Sequence, residues 1–69
     1  MTVHTIRVEQ VNISGTVATC LGIDQATGDR LAFYAEHRAA TAIAEAVAEA
    51  SDPDDLPVAD VESWQLAGR

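Results

Sequence analysis

Residues 36–51 carry a helical repeat, and they stand between segments that alternate. Ala39, Ile43, Ala46, Val47 and Ala50 recur at helical spacing, with Arg38, Thr41, Glu45 and Glu49 on the opposite side. A 69-residue chain with one helix and several alternating stretches has few options beyond laying that helix on a small sheet. Alanine gives the helix high propensity and little volume, so it can lie close to its support. Asp52 precedes Pro53, which steers it out of helical backbone, and the helix is predicted to end near there.

The alternating segments are separated by turn chemistry. His4, Ile6 and Val8 share one face of a first strand, with Arg7 and Glu9 opposite. The phase changes in "EQVNISG", where Val11 and Ile13 take over the apolar positions and Gly15 permits a turn or bulge. "GTVATCLGID" sets Val17, Leu21 and Ile23 against Thr16, Ala18 and Cys20. Between Asp24 and Arg30 a hairpin loop is predicted, with Asp24 bonding back to backbone amides and Gly28 at positive φ. "RLAFYAE" then opposes Leu31 and Phe33 to Ala32 and Tyr34. After Pro57, "PVADVESWQLAGR" reads as the last strand, with Val58, Trp64 and Leu66 in phase. Val61 is out of phase, which a bulge or an early strand end explains.

The predicted class is therefore α+β. It is a two-layer single domain over residues 1–69 in the order β-β-β-α-β, with one Ala-rich helix packed on a small, largely antiparallel sheet. Its core is expected to hold Ile6, Val8, Val17, Leu21, Leu31, Phe33 and Trp64. One helix cannot cover both sheet faces, so Ala18, Cys20, Ala32 and Tyr34 are expected on the uncovered face, joined by Val61. A core this small favours association, and the single Cys20 rules out an internal disulfide. A homodimer through Ala18, Cys20, Ala32 and Tyr34, or through an edge strand, is the expected state.

Charge narrows the partners. The formal net charge is −7 at pH 7 and lysine is absent. Residues 36–62 hold eight acids against Arg38, while the rest of the chain balances to zero. Direct nucleic-acid binding needs a basic footprint, and anionic membranes repel such a surface, so neither is an expected partner. A GC-rich genome or a salt-adapted host accounts for overall acidity better than for local clustering. Glu45, Glu49, Asp52, Asp54, Asp55, Asp60 and Glu62 are the expected partner-binding residues, facing a basic surface on another protein. A solvated acidic face that keeps a small protein soluble gives the same pattern.

Chemistry is harder to find. His4, His37 and Cys20 lack metal-ligand spacing, and the phase assignment puts His4 and Cys20 on opposite faces. "DPDDLPVADVE" resembles a calcium loop only in its acids, because Leu56 and Pro57 occupy the places of a ligand and the turn glycine. No nucleophile elbow surrounds Ser14, and "GIDQATGDR" lacks the Gly-Lys-Ser/Thr ending of a phosphate loop. His37 fits an exposed first-turn histidine better than a general base. No enzyme activity, cofactor or metal is expected.

The start lacks an apolar run behind a basic segment, so no signal peptide is expected and the coding sequence reads as complete. No apolar stretch approaches the roughly 18 residues of a membrane span. With a lone cysteine, the expected compartment is the cytoplasm. The expected function is that of a small acidic interaction protein: an inhibitor, an antitoxin-like partner or a phage-type modulator. In its sharpest form the carboxylate row mimics nucleic acid in a basic groove. The alternatives are a structural homo-oligomerising module, and a small-ligand or metal site at a subunit interface near His4 or His37.

Overall fold

Gly15 and Gly28 set the two hairpins. Both have positive φ, 64° and 80°, which residues with a Cβ rarely adopt. Gly15 opens the two-residue turn between β1 (Val3–Ser14) and β2 (Val17–Asp24), where Ser14 faces Val17. Gly28 lies in the loop from β2 to β3 (Arg30–Glu36), and its N–H donates to the Asp24 carbonyl at 2.8 Å. Asp24 closes the same loop with its carboxylate, which accepts the Ala26 N–H at 2.8 Å. The helix α1 (His37–Glu49) follows β3 directly, and β4 (Val58–Glu62) comes after a short 3-10 turn at Pro53–Asp55. This is a computed structural model and describes residues 2–67. The order is β-β-β-α-β in the α+β class, as the sequence predicts. The end of the expected last strand, residues 68–69, lies outside the described residues.

The four strands form one sheet in the order β3-β2-β1-β4, with every neighbouring pair antiparallel. A bulge between Val8 and Gln10 inserts Glu9 into β1. That extra residue is the phase change in the sequence: it keeps Ile6 and Val8 on the same face as Val11. The sheet is strongly curled. After β4 the chain reaches the far edge, where Leu66 bridges to Phe33 and the Ala67 N–H donates to the Ala32 carbonyl at 2.8 Å.

The concave side holds the core of Ile6, Val8, Cys20, Phe33, Val61 and Leu66. The helix lies against it, mostly over β1, with Ala40 fully buried and Ile43 and Val47 packed on the core. The buried stripe begins at Ala40, since Ala39 is exposed. The helix ends at Glu49, just before the Asp52-Pro53 stop.

Two parts of the expected core are corrected. In β2, Ala18 and Cys20 face inward at 1% and 0% exposure, while Val17 is half-exposed. Pairing fixes this phase, because Cys20 stands between Val11 and the buried Phe33. The physical reason is curvature: the inside of a tight sheet crowds, so small residues fill it. A Cβ built on Gly22, the next inward position, falls 2.1 Å from the Arg7 carbonyl oxygen. In the last segment the strand ends at Glu62, so Val61 is buried and Trp64 is left outside at 77% exposure.

Candidate functional site

The acids divide into two groups. Glu45 and Glu49 on α1 and Asp52, Asp54 and Asp55 in the following turn are all exposed. Among the described residues, Asp54 is the one member of this group with a cation within ion-pair reach, the Arg7 Nη1 at 3.9 Å. Glu49 meets the negative end of the helix macrodipole, and no basic residue in the last turn offsets it. Asp60 and Glu62 instead lie on β4, where Ala59 and Val61 point inward. Alternation therefore places both on the convex face. Asp60 accepts the Thr5 hydroxyl at 3.1 Å, and Glu62 is half-buried. Asp54 reaches Arg7, which alternation sets on the same side of β1 as Thr5, the partner of Asp60, while Glu45 and Glu49 lie on the helix.

The expected dimer face is corrected in part. Ala18 and Cys20 are core residues and unavailable to a partner. The Cys20 thiol is pushed above its ordinary pKa by burial, which keeps it protonated and unreactive. Tyr34 does sit on the convex face, half-exposed, and Ala32 beside it is half-buried with its carbonyl taken by Ala67.

A groove of about 510 Å³ lies at the β3 edge beside the start of α1, lined by Thr16, Val17, Tyr34, Ala35, Glu36, Ala39, Trp64 and Gln65. The Trp64 indole N–H donates to the Glu62 carboxylate. Glu62 also caps the 3-10 turn Ser63–Gln65: its side chain accepts the Gln65 N–H, and its own N–H donates to Gln65 Oε1 at 3.1 Å. Sequence reasoning placed Trp64 in the core and missed this groove. The spacing Glu62-x-x-Gln65, a capping pair that ends the strand, was the available signal.

A second constellation joins three distant segments. Asp24, 3% exposed, has Oδ2 at 2.9 Å from His4 Nδ1. His4 Nε2 lies 3.2 Å from Ser63 Oγ, which also donates to the Thr2 carbonyl at 3.3 Å. The His4 bond, followed by the Ala26 N–H, holds the Asp24 carboxyl below its ordinary range against the opposing effect of burial. His4 and Cys20, expected on opposite faces, thus share the concave one. The order acid, imidazole, hydroxyl resembles a nucleophile relay, yet Ser63 lines neither this groove nor the one beside Leu21 and Arg30. Its hydroxyl is also shared with the Thr2 carbonyl, which competes with His4 for the proton. The arrangement is a polar tie between the start of β1, the β2–β3 loop and the segment after β4.

His37 begins α1, exposed, and its carbonyl accepts the Thr41 hydroxyl at 2.8 Å. Among the described residues no three His, Cys, Asp or Glu side chains converge as a metal-ligand set. No described helix is long and apolar enough to cross a membrane. Comparison with family models, curated proteins and solved structures returns no match.

Proposed function

We propose that this chain is a small acidic, non-enzymatic protein of the cytoplasm that binds another protein through a basic surface on that partner. The observation that carries this is the exposure of Glu45, Glu49, Asp52, Asp54 and Asp55 on adjoining parts of the fold. Among the described residues they have one cation within reach, Arg7, and that at 3.9 Å. Carboxylates left unneutralised create a negative field that steers a basic surface into contact. Inhibitors, antitoxin-like proteins and phage-type modulators act by this kind of capture, and mimicry of a nucleic-acid backbone is its sharpest form. The test is a pull-down with the wild type and with Asp52, Asp54 and Asp55 changed to Asn. Capture of a basic protein that weakens steeply with salt and with the substitutions supports the proposal. Capture indifferent to both removes it.

A homo-oligomerising role is the second reading, favoured by the apolar exposure of Val3, Val17, Tyr34 and Val58, each half-exposed. Light scattering on the wild type and a Tyr34→Glu variant separates the two. Assembly lost with partner capture intact assigns the face to self-association.

A further inference from the structure

We propose that the groove between Trp64 and Tyr34 receives an arginine side chain from an extended segment of the basic partner. This deepens the protein-binding reading and rests on it. The first support is the placement of Trp64. The chain's one tryptophan contributes almost nothing to a core short of large side chains, and stands 77% exposed. Its indole N–H donates to the Glu62 carboxylate in the plane of the ring, which leaves the aromatic faces open to a partner. Tyr34 and Val17, both half-exposed, line the same groove. A volume of about 510 Å³ accommodates more than a single side chain.

Charge decides the occupant. Glu36 lines the groove and the Glu62 carboxylate sits on the indole nitrogen. In a symmetric pair, a second copy of this chain would set its own Glu36 against this one and bring no lysine to the contact. An arginine meets all three demands: an apolar stem for Val17, a planar cation to stack on Trp64 or Tyr34, and a charge for Glu36. Lysine offers the charge without the planar stacking surface.

The test uses dye-labelled Gly-Arg-Gly-Arg-Gly-Arg, blocked at both ends, and its citrulline counterpart, which keeps the shape and removes the charge. Fluorescence anisotropy is read at low and high salt for the wild type, Trp64→Leu, Tyr34→Leu and the Asp52/Asp54/Asp55→Asn variant. Circular dichroism confirms that each is folded. The expected result is binding of the arginine peptide alone, weakened roughly three- to thirty-fold by Trp64→Leu. Tyr34→Leu should weaken it less, and the peptide should change the Trp64 emission of the wild type. Binding that the Asn substitutions weaken and Trp64→Leu leaves unchanged overturns the groove while sparing the acidic surface. Equal binding of the citrulline peptide overturns the cation. No binding of the arginine peptide to the wild type overturns the arginine groove and leaves the acidic surface to the pull-down. A dimer that Trp64→Leu dissolves assigns the groove to a second copy and likewise overturns the proposal.

Discussion

The buried Asp24 carboxylate stands 2.9 Å from the imidazole of His4, residues twenty apart in sequence that a β1–β2 pairing brings side by side. Because Asp24 also caps the loop to β3, one carboxylate joins the start of the sheet to its second hairpin. Its folded pKa is depressed, so its contribution is present above the unfolded carboxylate range and is lost as pH falls through the folded value. The protein should therefore lose thermal stability below about pH 4, where an unfolded aspartate also takes up its proton. Melting curves from pH 7 to pH 2 measure this. Asp24→Asn should start from a lower Tm and show a shallower acid loss, and an unchanged profile contradicts the role.

Gly22 marks how tightly the sheet curls. A methyl there meets the Arg7 carbonyl carbon and Ile6 Cγ2, each at 2.8 Å, besides the still closer oxygen. Gly22→Ala should destabilise by about 1–3 kcal/mol or more through forced backbone movement. Urea denaturation reads the effect as a lower midpoint. A neutral result means that the strands are farther apart than described.

The phase of β2 has its own test. Val17 is half-exposed and Cys20 is not, so Val17→Thr, which keeps the β-branch and adds no charge opposite Glu36, should change stability by no more than about 0.5 kcal/mol. Cys20→Asp places an unpaired charge in the core and should prevent stable folding. A thiol reagent should label Cys20 only after denaturant is added. Rapid labelling of the native protein would return Cys20 to the surface.

Trp64 touches little that the fold needs. Trp64→Leu should alter the unfolding free energy by no more than about 0.5 kcal/mol. In the wild type, the indole emission should be that of a water-exposed ring, quenched freely by acrylamide. A large stability loss would place Trp64 in the core.

Much of the fold is legible in the sequence because turns and periods are local. Asp24 and Gly28 announce their hairpin, and the shift from Ile6 and Val8 to Val11 and Ile13 shows a phase change, although the sequence offers a bulge at Gly15 and the structure has it at Glu9. The inward face of β2 was not legible. Val17, Leu21 and Ile23 are its larger apolar residues, yet curvature leaves the concave side room only for Ala18, Cys20 and Gly22. The acidic stretch was legible as a charge run, but its division at β4 depends on strand alternation after Pro57. The His4–Asp24–Ser63 tie joins residues up to 59 apart, and no local pattern encodes it.

The central claim is that the carboxylates of the helix and turn bind a basic partner. Its most direct measurement is the salt dependence of the captured partner's affinity, compared between wild type and the Asp52/Asp54/Asp55→Asn variant. The account predicts an affinity that falls steeply with salt for the wild type, and a weaker, flatter dependence for the variant. Equal affinities with equal slopes would contradict it.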